Sequence, residues 1–221
     1  MYFIVMIVGM ALPMLVQAWL RNTYGHWSNV RNTANLSGAE VARAILKANN
    51  IHDVEVEAVA GMLSDHYDPR SKKVRLSEGN YGVPSVSAMA VAAHEVGHAI
   101  QHAHAYKPLA WRTALLMPAQ IGQNIGPLLV IVGASIGALG LAQVGILLFA
   151  AAALFQLITL PIEFDASRRA LAEMERLGLA TSNDSGGSRK VLTAAAMTYV
   201  AGLATTVMML LYYMSIFSRR D

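Results

Sequence analysis

Three long stretches without a charged side chain constrain this chain more than any other feature of its sequence. They run from Met1 to Leu20, from Thr113 to Ile162 and from Val191 to Ser218. A helix needs about 20 apolar residues to cross the hydrocarbon core of a bilayer, so the first and last stretches each fit one span and the middle stretch fits two. Only 14% of the residues are charged, against ~25% in soluble domains. A soluble helical bundle would not leave the middle stretch uncharged, and we therefore predict a membrane protein.

The predicted fold is a mainly α integral membrane protein with four transmembrane helices and a small α+β region. The predicted spans are residues 1–20, 114–136, 140–161 and 192–216. The predicted divisions of the chain are a membrane anchor (1–20), a polar region with the α+β unit (21–112), a two-helix membrane hairpin (113–162), a polar helix followed by a loop (163–190) and a C-terminal membrane helix (191–221). We assign the loop to Ser182–Ser188, because a Gly-Gly pair among small polar residues is typical of a flexible connection.

The charge distribution predicts where these regions lie. Four spans place both polar regions on the same side of the membrane, and all of the 17 Lys and Arg residues except Arg219 and Arg220 belong to them. The positive-inside rule therefore predicts a multi-pass protein of the cell (inner) membrane whose polar regions face the cytoplasm. The stretch Met1–Leu20 lacks the basic start and cleavage site of a signal peptide, so we expect a retained anchor. No basic stripe indicates nucleic-acid binding, and the absence of cysteine excludes thiolate metal ligands.

Local patterns in region 21–112 predict a helix and a small sheet. A capping box opens the helix at Ser37. Alternating residues at Val54–Glu57 are typical of a half-buried strand. We predict a hairpin turn at Asp65–Arg70, between strand-like segments at Gly61–Ser64 and Lys73–Ser77.

A second helix of this region carries the residues with the clearest chemistry. Ser85 or Ser87 can cap it, and its pattern continues to about His104. It contains the motif HEVGH at residues 94–98. Positions four residues apart share a helical face, so both imidazoles can reach one zinc ion while Glu95 reaches a water molecule beside it. Histidines that only satisfy core hydrogen bonds are the alternative, but in a largely apolar helix these groups would be buried without partners.

The motif therefore predicts a zincin-like region that binds one Zn²⁺ per chain, with His94 and His98 as ligands and Glu95 as the catalytic base. A catalytic zinc normally has a third protein ligand, and two residues compete for that role. His104 has the spacing of an extended zinc motif, but a glutamine replaces the glycine with which that motif turns back to the metal. Glu163 directly follows a predicted span, on the side where the histidines must lie, and Pro161 can start a new helix segment there. Spacing and topology favour Glu163, and His104 stays the alternative.

The sequence resembles a known family, the YugP-like neutral zinc metallopeptidases of bacterial membranes, and more distantly the HtpX-type integral-membrane gluzincins. The resemblance runs through Ser37–Ala42, Gly61–Ser77, Val91–Gln101 and Pro161–Ala170, which together cover most of the chain outside the spans.

The resemblance implies a zinc site of two histidines and a glutamate, with His94, His98 and Glu163 as ligands and Glu95 as the base. The chain departs from the HtpX-type pattern at one position. In that pattern an aspartate four residues after the glutamate ligand orients a zinc histidine, whereas this chain has Ser167 there. Asp165 is then a candidate to act behind the ligands, since it lies two residues after the glutamate.

These observations predict a membrane-embedded zinc-dependent endopeptidase that hydrolyses protein or peptide substrates at the membrane surface. A membrane scaffold or assembly factor with a retained zinc site is one alternative, but such a protein has no use for Glu95. An intramembrane-cleaving protease is another, but it requires residues 83–106 to cross the bilayer, and that segment is too polar to do so. A transporter would usually carry ionisable groups within its spans, and the predicted spans have none.

The expected partners are the substrate, membrane lipid and other membrane proteins. The strand near Val74–Leu76 could bind an extended peptide by edge pairing. The small residues Gly133 and Gly137 permit close helix packing within the chain, in a homo-oligomer or with another membrane protein. Donors that could stabilise a developing oxyanion are His66, Tyr67, Arg168 and Arg169, and for each a structural role is the simpler expectation.

Overall fold

The computed structural model describes residues 2–217, which form seven helices and one three-stranded sheet. In chain order the elements are α1 (Tyr2–Ser28), α2 (Gly38–Ala48), β1 (Glu55–Val59), β2 (His66–Asp68), β3 (Lys73–Ser77), α3 (Glu78–Tyr81), α4 (Val86–Ala103), α5 (Lys107–Ser135), α6 (Leu139–Arg176) and α7 (Ser182–Phe217). Within the described part, four helices are long and apolar enough to cross a membrane. They are Val5–Ser28 of α1, α5, α6 and Ser182–Ile216 of α7. The predicted class of a mainly helical protein with four apolar helices and a small sheet is confirmed at this level.

Helix α6 does not break where its apolar part ends. The helix runs through Pro161 and continues to Arg176, so the prediction that Pro161 starts a new segment is wrong. Proline removes one backbone hydrogen bond, but helices of membrane proteins tolerate it when neighbouring groups satisfy the freed carbonyl. Glu163 therefore lies on the same helix as the apolar segment before it.

The prediction of a flexible loop at Ser182–Ser188 is also wrong, because α7 begins at Ser182. The carboxylate of Asp184 accepts hydrogen bonds from the backbone N–H (3.0 Å) and the hydroxyl (2.8 Å) of Thr181, and thus closes a capping arrangement at the helix start. Gly187 of the glycine pair has a packing role. A Cβ on Gly187 would lie 2.6 Å from the ring of Trp27, so only glycine fits at this contact.

The described chain divides into two compact units. The first contains residues 1–17, 107–161 and 197–221, of which the structure describes 2–17, 107–161 and 197–217. Its α5 and α6 segments pack through small residues: a Cβ on Gly122 would lie 2.1 Å from the carbonyl oxygen of Leu148, and one on Gly133 would lie 2.6 Å from the backbone nitrogen of Ala142. Close packing by small residues is typical of membrane helices, and here it occurs within the chain. The turn between these helices contains Gly137 with φ +72°.

The second unit consists of residues 18–106 and 162–196, which include most of the first polar region and all of the second. Helix α2 packs closely against α3 and α4, since a Cβ on Gly38 would lie 2.3 Å from the carbonyl oxygen of Asn80 on α3 and 3.0 Å from that of Ala88 on α4. The predicted capping box at Ser37 is present. The main core cluster of this unit is apolar, and its largest fully buried members are Val41, Ile45, Val74, Leu76, Met89, Val96, Met174 and Val191.

The sheet has the order β1-β3-β2, with β1 parallel and β2 antiparallel to β3. The predicted hairpin turn at Asp65–Arg70 is wrong, because His66–Asp68 is itself a strand and the chain turns between Asp68 and Lys73. Edge pairing of a substrate with Val74–Leu76 is excluded as well, because β3 is the central strand and both of its edges are occupied. The strand β2 lies at an edge of the sheet and contacts α4.

Candidate metal centre

Helix α4 positions the two histidines of the HEVGH motif. The hydroxyl of Ser85 accepts a hydrogen bond from the backbone N–H of Ala88 (3.1 Å) and begins the helix, which then continues without a break to Ala103. His94 and His98 therefore lie on one face, with ring centroids 4.8 Å apart. Both imidazoles are largely shielded from solvent, with side-chain exposures of 15% and 9%.

Helix α6 approaches this face of α4 at a glycine. A Cβ on Gly97 would lie 2.6 Å from the carbonyl oxygen of Ala166. Only a residue without a side chain allows the two backbones to come so close. The approach brings Glu163, one turn before Ala166, up to the two histidines. Its carboxyl group is almost completely buried, with a residue exposure of 2%.

The three side chains meet at one point. The Oε2 atom of Glu163 lies 3.3 Å from the Nε2 atom of His94 and 3.5 Å from that of His98. Potential ligand atoms of all three residues lie within 4.8 Å of one another. Tetrahedral zinc with ligand bonds of about 2.1 Å separates its ligand atoms by about 3.4 Å. The observed separations therefore suit a zinc ion, as does a donor set of two imidazoles and one carboxylate.

His104 occupies a different position in the fold. It is the C-cap residue of α4, where its backbone N–H donates to the carbonyl of Ile100 (3.0 Å). Among residues 2–217, the cluster of potential metal ligands consists of His94, His98 and Glu163 and does not include His104.

The second nitrogen of each imidazole contacts a polar side chain. The Nδ1 atom of His98 lies 3.0 Å from the Oε1 atom of Gln101, and the Nδ1 atom of His94 lies 3.1 Å from the hydroxyl of Ser167. Gln101 is fully buried and also donates to the carboxylate of Asp165 (2.9 Å). Sequence reasoning named Asp165 but gave Gln101 no role, because the spacing from His98 carries no signal by itself. Ser167 could have been identified from the sequence, because it occupies the position at which the HtpX-type pattern has a histidine-orienting aspartate. In the structure it contacts His94.

Glu95 follows His94 in the motif and is also buried, with 8% exposure. Burial in this low-dielectric environment raises the pKa of the Glu95 carboxyl to about 7, while the charge of His94 and a backbone hydrogen bond from Tyr67 act in the opposite direction. The charges of Glu163 and Asp65 add to the increase. A raised pKa close to neutrality is typical of carboxyl groups that exchange protons during catalysis.

The four candidate oxyanion donors already have partners. The hydroxyl of Tyr67 lies 2.8 Å from the Nδ1 atom of His102. The guanidinium groups of Arg168 and Arg169 both bind the carboxylate of Asp165. The remaining candidate, His66, contacts the backbone carbonyl of Ser64 (2.8 Å) and the side chain of Arg75.

Comparison with known proteins shows the family to which the chain belongs. The sequence model of a family described as "Putative neutral zinc metallopeptidase" matches residues 2–218. The chain therefore belongs to this family. It is also 42% identical over 217 residues to a Bacillus subtilis (strain 168) protein called "Putative membrane protease YugP", with 98% of this chain and 96% of the relative covered. No solved structure matches the chain.

Proposed function

We propose that this protein is a zinc-dependent endopeptidase of the gluzincin type that cleaves protein or peptide substrates at the membrane surface. In this proposal, His94, His98 and Glu163 bind one zinc ion per chain and Glu95 is the general base. The observation that carries the proposal is the meeting of these three ligand candidates at separations of 3.3 and 3.5 Å on one side of α4. The same observation supports a zincin-like description of the region around the motif.

A bound zinc ion supplies Lewis-acid chemistry, since it polarises a scissile carbonyl and makes a nearby water more acidic. The chain itself supplies the proton transfers. Glu95 accepts the proton of the attacking water and delivers it to the leaving amine. Its burial beside His94 keeps this carboxyl group in a low-dielectric environment, where its pKa is close to neutrality and both transfers are favourable.

The edge strand β2 is the position we propose for the substrate backbone. It contacts α4, and the backbone of its central residue Tyr67 lowers the pKa of the Glu95 carboxyl. An extended peptide that adds to this edge would run past the base and the ligand cluster. This choice replaces β3, whose edges are both paired.

The charge distribution supports an inner-membrane location with the zinc site on the cytoplasmic side. Apart from Arg219 and Arg220, all Lys and Arg residues lie in the two polar regions, and residues 21–106 and 163–190 of these regions belong to the unit that contains the ligand cluster. Membrane lipid surrounds the four apolar helices in this arrangement.

The test is zinc content and cleavage of an unfolded protein such as casein by the full-length protein in detergent. We expect about one zinc per chain in wild type and in Glu95→Gln, and cleavage by the wild type alone. Glu163→Gln should lose zinc, whereas Glu175→Gln, an exposed glutamate on the same helix, and His104→Ala should keep it. A wild type without zinc, or cleavage that persists in Glu95→Gln, would overturn the proposal.

A further inference from the structure

The groups behind the two ligand histidines determine which nitrogen of each ring can bind a metal. An imidazole presents Nε2 as a ligand when Nδ1 carries the proton, and the hydrogen-bond partner of Nδ1 decides which nitrogen holds it. In His98 this partner is Gln101, and the other hydrogen bonds of Gln101 determine which of its amide atoms faces the ring.

The contacts of Gln101 fix the orientation of its amide. Its nitrogen lies 2.8 Å from the carbonyl oxygen of Ile162 and 2.9 Å from a carboxylate oxygen of Asp165. Both of these atoms can only accept, so the amide nitrogen must face them and the amide oxygen must face His98. The amide oxygen in turn can only accept, and the Nδ1 atom of His98 must therefore carry the proton.

The carboxylate of Asp165 strengthens the hydrogen bond between Gln101 and His98. It accepts from Gln101 and is itself held by the guanidinium of Arg169 at 2.6 Å and by that of Arg168. A fixed negative charge next to the amide nitrogen polarises the amide and makes its oxygen a better acceptor. Asp165 therefore acts on His98 through Gln101 and has no direct contact with the ring among the hydrogen bonds of the described residues.

His94 is held differently. Its Nδ1 atom lies 3.1 Å from the hydroxyl of Ser167, which is half-buried on α6 one turn after Glu163. A hydroxyl can donate as well as accept, so this contact restrains the ring position but imposes no tautomer.

We propose that Gln101 and Ser167 are the positioning residues of the two ligand histidines, and that Asp165 acts through Gln101, so that His98 is locked in the metal-binding tautomer while His94 is restrained by a neutral hydroxyl. This inference rests on the proposed zinc function. It predicts an asymmetric site in which His98 is the more strongly pre-organised ligand.

The first measurement concerns the tautomer and needs no zinc. In metal-free protein labelled with ¹⁵N-histidine, long-range proton–nitrogen correlation distinguishes neutral rings protonated at Nδ1 from those protonated at Nε2. We expect the His98 ring to be protonated at Nδ1 in wild type and to lose this preference in Gln101→Leu. A wild-type His98 ring that carries its proton at Nε2 and none at Nδ1 would overturn the proposal, and this holds even if Gln101→Leu does not fold.

The second measurement is zinc affinity by competition with a chelator. Gln101→Leu should weaken binding by about 10–100-fold, the usual effect of removing a group that orients a ligand. Equal affinity in wild type and Gln101→Leu contradicts the role of Gln101, whereas a wild type that binds no zinc contradicts the proposed function instead.

Ser167 is tested by substitutions in opposite directions. Ser167→Asp places a carboxylate next to His94 and should increase zinc affinity several-fold, and Ser167→Ala should decrease it. The matched control is Ser188→Ala, which removes a buried helical hydroxyl that has no hydrogen-bond partner among residues 2–217, and it should leave affinity unchanged. If Ser167→Asp and Ser167→Ala both bind zinc as the wild type does, Ser167 has no positioning role.

Discussion

The close approach of α6 to α4 at Gly97 allows us to predict the loss of zinc affinity in Gly97→Ala. The added Cβ would lie 2.6 Å from the carbonyl oxygen of Ala166 and 3.1 Å from the carbon and Cα of that residue. These atoms belong to the backbone, so rotation of a side chain cannot relieve the clash. Ordinary contact begins near 3.4 Å, and α6 must therefore retreat by roughly 0.8 Å at this point.

Such a retreat is larger than a zinc site tolerates. Ligand bonds have to stay within about 0.2 Å of their normal lengths, and Glu163 lies on α6, one turn before the clash. We expect zinc affinity to fall by about tenfold or more. Alanine in place of glycine also favours the helix by about 1 kcal/mol, so the free energy of unfolding of the metal-free protein should change less than its zinc affinity.

The assay is chelator competition for zinc affinity together with thermal unfolding of the metal-free protein. The matched control is Gly186→Ala on α7, where the new Cβ would have no described atom within 4 Å apart from its chain neighbours and the backbone of its own helix. This control should bind zinc as the wild type does. If Gly97→Ala also keeps wild-type affinity, α6 does not deliver a ligand through this contact, and the assignment of Glu163 would have to be abandoned.

Three further predictions concern stability. Removal of zinc by a chelator should lower the unfolding temperature of wild type and leave Glu163→Gln unaffected, because a ligand at 100 times its Kd stabilises the folded state by about 2.7 kcal/mol; a chelator shift of equal size in both proteins would contradict this. Asp65→Ala removes the acceptor of hydrogen bonds from the backbone and hydroxyl of Ser77 and from Asn80, at 2.7–3.1 Å. It should lower the free energy of unfolding by about 1–3 kcal/mol in a denaturant titration, and an unchanged midpoint would be incompatible with a structural role. Gly38→Ala should destabilise more than Gly186→Ala, since its Cβ would meet the carbonyl oxygen of Asn80 at 2.3 Å, and comparison of the two unfolding temperatures measures the difference.

The features that could be predicted from sequence are those set by local chemistry. The uncharged stretches predicted the four apolar helices, because a helix that crosses a bilayer carries few charges regardless of the fold around it. The capping box at Ser37 and the cap at Ser85 form as predicted, since both depend on residues within one turn. The grouping of Glu163 with the histidines was predicted from topology and from a family resemblance, and the distances among the three side chains agree with it.

The features that were missed depend on contacts between distant segments. The Gly186-Gly187 pair indicates a loop when it is considered alone, but Trp27 packs where a side chain would otherwise be. The parallel pairing of β1 with β3 could not be inferred, because the intervening strand β2 lies on the far side of β3. The role of Gln101 depends on Asp165 and Ile162, which come from another helix. Each of these outcomes follows from tertiary packing, which overrides local preference.

The ligand cluster is divided along the chain in a way that bears on biosynthesis. His94 and His98 belong to α4, whereas Glu163 comes only after all of α5 and the apolar first part of α6. A nascent chain that has emerged as far as Tyr106 carries both histidines and Glu95 but lacks the carboxylate of Glu163. In the peptidase proposed above, the ribosome must therefore deliver α5 and the apolar part of α6 before the zinc site can be assembled, and the growing polypeptide is without proteolytic capacity until then.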